Sequence, residues 1–177
     1  MTRYAVLLRG VNVGGHGKLP MADFRAAIEA AGFTDVATYL NSGNATLTAP
    51  GRTAPTTVAA RIAGELERVT GRPVGLLVRS HRQLSAVVAA TPYPVDKPAW
   101  LHVLFCDPDP VRGCAVPAEK LGPDSFALGP GCAYLRFVNS PGRSRLAELV
   151  TRAALPAGGL ATARNWNTLL ALVERTA

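Results

Sequence analysis

A chain of 177 residues that is 48% hydrophobic and 18% charged holds enough apolar material for one large core or two small ones, which excludes a disordered polyelectrolyte. No apolar run approaches the roughly 20 residues that cross a bilayer, and the opening Met1-Thr2-Arg3-Tyr4-Ala5 lacks the apolar stretch of a secretory leader, so a cytoplasmic protein with no membrane partner is expected. The formal charge of +7 favours anionic partners, although the dominance of Arg over Lys in an Ala-, Gly- and Pro-rich chain is equally the imprint of a GC-rich genome.

The first strand is predicted over residues 4–9. Its run Ala5-Val6-Leu7-Leu8 does not alternate, which calls for a central strand covered on both faces. Pro20 marks a helix entrance; Met21, Phe24, Ile28 and Ala31 share one face, and Gly32 ends the helix. A strand over 36–40 runs into Asn41-Ser42-Gly43-Asn44, a turn composition, and Ala45-Thr46-Leu47 returns as the second arm of a hairpin. After the break at Pro50-Gly51, Val58, Ile62, Leu66 and Val69 line a second helix that stops near Gly71 and Pro73. Residues 74–79 form the next strand. Strand, helix, two strands, helix, strand is the ferredoxin-like βαββαβ unit.

Ser80-x-x-Gln83 is a capping-box signature that opens a third helix through Leu84, Val87 and Val88. Thr91-Pro92-Tyr93-Pro94 stops it, and the prolines make residues 91–99 a linker. The order then repeats. Residues 101–105 read as a strand and 110–121 as a weak helix. Residues 126–128 and 134–137 flank Gly129-Pro130-Gly131 as a hairpin. Residues 143–154 are helical, with Leu146, Leu149, Val150 and Ala153 on one side, and 158–163 form a short strand. Arg164-Asn165 opens a last helix whose inner face is Trp166, Leu169, Leu170 and Val173. The expected class is α+β: two ferredoxin-like βαββαβ halves, 1–90 and 100–177, with extra helices. The matching order points to an internal duplication, although no sequence identity between the halves is visible.

Five segments carry a resemblance. They are Leu7-Leu8-Arg9-Gly10-Val11-Asn12-Val13-Gly14-Gly15; Lys18 ahead of Met21; Tyr39-Leu40-Asn41-Ser42-Gly43-Asn44; Gly142-Arg143-Ser144-Arg145-Leu146; and Thr162-Ala163-Arg164-Asn165-Trp166-Asn167-Thr168. In this order and spacing the chain resembles the domain of unknown function 1697 family of bacterial proteins, from residue 4 to residue 173. Asn41 stands where that family often has Gln, and Arg145 where it often has Lys. The resemblance implies a fold and carries no settled activity.

The same segments supply the candidate site. The loop from Gly10 to Lys18 holds four glycines, with Arg9, Asn12 and Lys18. Its backbone N–H groups can converge on an anion at the positive end of the following helix; a tight turn needing positive φ explains the glycines equally. The spacing matches neither the dinucleotide fingerprint nor a P-loop, so no cofactor is expected. Ser42 and Asn44 make a hairpin turn or the polar tip of a site. Arg143 is a basic side chain at a helix start. Capping and packing account for Asn165 and Trp166 but not for Arg164 and Asn167, and an arginine fork binds carboxylate or phosphate in bidentate fashion. If the two ends of the chain meet, Arg9, Asn12, Arg164 and Asn167 share one recess.

Three cysteines (Cys106, Cys114, Cys132) and three histidines (His16, His81, His102) are too scattered for a disulfide framework or a metal site. No pair of carboxylates falls in the loops, neither Ser42 nor Ser144 has a His partner, and Cys106 has no assignable base, so the sequence assigns no reaction. The expected function is binding of a small phosphorylated or carboxylated ligand, with room for a reaction driven by electrostatic stabilisation. Nucleic-acid binding is the first alternative. Ferredoxin-like sheets with exposed aromatics stack bases, but this chain is only 6% aromatic and its first strand reads as doubly buried. The second is a non-catalytic interaction module in which the motifs serve the fold alone.

Overall fold

A computed structural model describes residues 1–12, 18–110 and 113–177. The chain divides into two compact units, Met1–Arg82 with Leu172–Ala177, and Gln83–Ala171. The prolines of 91–99 fall inside the second unit.

The first unit runs β1 (Thr2–Leu8), α1 (Met21–Ala30), β2 (Thr34–Tyr39), β3 (Asn44–Ala49), α2 (Pro55–Thr70) and β4 (Leu76–Ser80). Its sheet has the order β2-β3-β1-β4 with every pair antiparallel. β1 is central, as its unbroken apolar run requires. Tyr4, Val6 and Leu8 pack in a core with Phe24, Ile28, Ile62 and Leu66, while Ala5 and Leu7, of opposite pleat, have no exposed surface either. α1 begins directly after Pro20. α2 carries Pro55 in its first turn and ends on Gly71, which at φ +70° bonds its N–H to the Glu67 carbonyl. Val69 lies on the stripe of Val58, Ile62 and Leu66 but is 44% exposed, a departure from the sequence reading. The stripe outruns the core at its last turn, and Val69 lines a cavity instead.

The second unit takes most of α3 (His81–Ala89), then β5 (Leu101–Asp107), α4 (Ala118–Leu121), β6 (Ser125–Gly129), β7 (Cys132–Arg136), α5 (Leu146–Ala154), β8 (Leu160–Asn165) and the start of α6 (Trp166–Thr176). Its sheet order is β6-β7-β5-β8, again all antiparallel. Each strand therefore holds the rank that its counterpart holds in the first sheet. The protein is α+β, with two βαββαβ halves of one topology. Leu104, Cys106, Ala133, Leu135, Leu146, Val150 and Ala154 make the second core. The Tyr134 hydroxyl donates to the Val87 carbonyl at 2.6 Å and ties α3 to this sheet.

Several boundaries differ from expectation, each for a local reason. The helix read over 110–121 is the single turn α4, since Pro117 lacks the N–H an earlier turn would need; residues 111 and 112 lie outside the described ones. α5 starts at Leu146 rather than 143 because Pro141–Arg143 forms a separate 3₁₀ turn and the Ser144 hydroxyl accepts the Leu146 N–H at 3.1 Å. Its buried positions are Leu146, Val150 and Ala154, with Leu149 and Ala153 only half-buried. β8 extends to Asn165, since Arg164 and Asn165 pair with Val103 and His102 on β5. Of the inner face read for the last helix, Trp166 and Leu169 are buried and Val173 is half-buried, but Leu170 is 44% exposed and Leu172 is buried in its place. Among the described residues no helix is long and apolar enough to cross a membrane.

Candidate anion-binding site

Three segments of the first unit meet at the end of β1. The Leu8 N–H donates to the Gly43 carbonyl, and the Arg9 N–H to the Gly75 carbonyl, both at 2.8 Å. The β1–α1 loop, the β2–β3 turn and the entrance to β4 are thereby held together. Asn12 fastens the first of these to the second. At φ +55°, its Nδ2 donates to the Leu19 carbonyl (2.9 Å) and the Asn41 carbonyl (2.8 Å), while Oδ1 accepts the Leu19 N–H (2.9 Å). One amide thus closes the loop on itself and anchors it to the hairpin turn. The glycine-rich residues 13–17 of that loop, on which the anion-cradle expectation falls, lie outside the described residues.

The turn is shaped by the same logic. Asn44 has no exposed surface, and its Nδ2 donates to the Tyr39 carbonyl (2.9 Å) and the Ser42 hydroxyl (3.0 Å). Gly43 sits at φ +76°. A Cβ there would fall 2.6 Å from Val11 Cγ2 and 2.8 Å from Leu8 Cβ, so only glycine lets the turn close over the loop. Arg9 and Ser42 are exposed near this end of the sheet.

Lys18 leads into a different feature. A cavity of about 590 Å³ opens beside the start of α1 and the end of α2. Val11, Leu19 and Val74, all buried, contribute its apolar surface with Pro20 and Val69. The exposed side chains of Lys18, Asp23 and Arg72 are its charged lining. Among the described residues none of these three makes an ion pair. The fourth polar lining residue, Thr70, is committed: its hydroxyl lies 2.8 Å from the carbonyls of both Leu66 and Arg72. α1 starts at this cavity without a side-chain cap, leaving its first-turn N–H groups unanswered by any side chain of the cap residue. Arg72, Asp23 and Thr70 were not legible as site residues. Arg72 reads as the residue after a helix stop, and Asp23 as a first-turn acid. Only the packing of α1 on α2 brings them together.

The remaining candidates belong to the second unit. Arg143 is exposed on the Pro141–Arg143 turn. Next to it, the Ser144 hydroxyl donates to Asp124 Oδ2 at 2.6 Å, while Asp124 Oδ1 accepts the Val138 N–H at 2.9 Å. This Ser–Asp pair fixes the start of α5. Arg164 is 7% exposed, and its Nη1 donates to the Thr162 hydroxyl and the Ala163 carbonyl, both at 2.8 Å. Burial pushes its guanidinium down to about 10, still high enough to keep the charge at neutral pH. Asn165 Oδ1 accepts the Thr168 N–H at 2.9 Å and caps α6, as its position predicts. Asn167 is exposed on the first turn of that helix.

Comparison with known proteins adds three findings. A solved structure, that of the conserved bacterial protein SP0830 from Streptococcus pneumoniae, is similar to this chain at a TM-score of 0.73 and 21% identity, over 99% of each chain. That likeness shows a shared fold. No curated protein matches the sequence. A family model described as "Protein of unknown function (DUF1697)" matches residues 1–134.

Proposed function

The chain belongs to the DUF1697 family, and on that footing we propose that it binds a small phosphorylated or carboxylated ligand in the cavity beside α1. The observation that carries the reading is the pair Lys18 and Arg72, two cations without an ion-pair partner among the described residues, on a cavity of about 590 Å³ with buried apolar side chains in its wall. Small-molecule sites have this make-up: apolar surface for the body of the ligand, a few polar groups to orient it, and volumes of about 300–1,000 Å³. Arg72 can grip two oxygens of a carboxylate or phosphate at once, whereas Lys18 acts as a point charge. The first turn of α1, which the side chain of Pro20 does not cap, adds N–H donors and the positive end of the helix. Asn12 supports the site at one remove, since it fixes the backbone of Leu19 next to Lys18. A cytoplasmic setting, where such metabolites are abundant, accompanies this reading.

Thermal-shift screening with phosphorylated and carboxylated metabolites tests it. A ligand at about 100 times its Kd stabilises the folded state by roughly 2.7 kcal/mol, a rise of several degrees in melting temperature for a chain of this size. Lys18→Ala with Arg72→Ala is expected to abolish the rise while moving the melting temperature of the unliganded protein little, because both side chains are exposed and neither has an ion-pair partner among the described residues. A flat response across the panel, or a rise that survives the double substitution, removes the support for this site.

A further inference from the structure

The third charge on the cavity has a consequence for what fits there. Among the described residues, Lys18, Arg72 and Asp23 are its charged lining groups without an ion-pair partner, and Thr70 already holds two carbonyls. Two cations and one carboxylate give this lining a net charge of +1. A ligand that is only anionic would meet Lys18 and Arg72 favourably and Asp23 unfavourably. A ligand with an ammonium group a few bonds from its anion would satisfy all three. We infer that the cavity selects a zwitterionic ligand class, a small phosphorylated or carboxylated amine, with its anion on Lys18 and Arg72 and its ammonium on Asp23. This rests on the anion-binding reading above and adds to it the role of Asp23, a residue that an anion site would otherwise be better without. As a first-turn acid Asp23 also suits the positive end of α1, so the test must separate a ligand role from a helix role.

Two probes that differ only in the amino group do so: O-phosphoethanolamine and ethyl phosphate, which lacks the amine. Calorimetric titration of the full chain at pH 7.5 is expected to show O-phosphoethanolamine binding about threefold tighter or more, the range an exposed carboxylate–ammonium pair supplies. Asp23→Asn is expected to erase that preference, chiefly by improving the affinity for ethyl phosphate as the repulsion disappears. Arg72→Ala is expected to weaken both probes alike. A purely helical role for Asp23 would lower the melting temperature of Asp23→Asn and leave the ratio of affinities as it was. Equal affinities in the parent protein, or a ratio unmoved by Asp23→Asn, overturn the zwitterion inference and leave the anion site standing. Binding of neither probe at millimolar concentration overturns the anion site and the inference with it.

Discussion

Asn12 shows how the side chain of a motif residue can be engaged with the backbone around it. Its amide answers both backbone groups of Leu19 and the carbonyl of Asn41, so the loop and the hairpin turn share one fastening. Asn is suited to this place because it tolerates the left-handed backbone and has both a donor and an acceptor on a short stem. Asn12→Ala leaves three backbone groups without that partner and strains a Cβ-bearing residue at positive φ. A loss of about 2 kcal/mol is expected in urea denaturation, the sum of lost hydrogen bonds partly replaced by water. A change under 0.5 kcal/mol would mean that the loop stands without this fastening. Gly43 and Asn44 belong to the same account: one removes the Cβ that would strike Val11 and Leu8, and the other fills the turn with its own hydrogen bonds. The sequence marked all three as special. It did not say whether they serve backbone or ligand, because an amide group looks the same in either role.

At the scale of elements, the helix and strand periods were readable where local chemistry is decisive. Asn165 ahead of Trp166 signals a helix start, and its Oδ1 takes the Thr168 N–H. Asn165→Ala is expected to cost about 1 kcal/mol and to raise amide exchange in the first turn of α6. Unaltered exchange at Thr168 would assign the cap elsewhere. The misread positions are those where the partner rather than the period decides. Val69 keeps to the apolar stripe of α2 and still emerges at the cavity, since the core it should cover has ended. Leu170 satisfies a plausible helical face, yet α6 buries Leu169 and Leu172. Periodicity fixes which residues share a face. It does not fix how far along the helix that face has something to cover.

For the molecule as a whole, the repeated sheet order is the main result. β2-β3-β1-β4 and β6-β7-β5-β8 are one topology written twice, in halves whose sequences no longer betray it. What fold selection preserves is the order of strands, turns and buried faces, and many residues satisfy those. The chain's last residues also count with the first unit rather than the second. Leu172 is wholly buried and Thr176 nearly so, and the carbonyls of Val173 and Ala177 lie at hydrogen-bond distance from His81 Nδ1 (3.1 Å) and Arg3 Nη1 (3.2 Å). Deleting 172–177 is therefore expected to destabilise the protein by more than about 2 kcal/mol, the least that loss of a buried Leu costs. Thermal denaturation matching that of the full chain would show the segment to be dispensable.

The sequence by itself determined the order of elements and the two hairpins, and its motifs carried the resemblance to the family; that the two halves share one sheet order is a property of the folded chain. The elements and hairpins follow from short-range causes: apolar period, turn residues with positive φ, proline and cap positions. The membership of the cavity was decided only by tertiary structure. Lys18 and Asp23 stand at one helix start and Arg72 beyond another helix end, and no local rule links them. They become neighbours because the apolar stripes of α1 and α2 pack together against one sheet, and the charges at the ends of those helices are carried along by that packing.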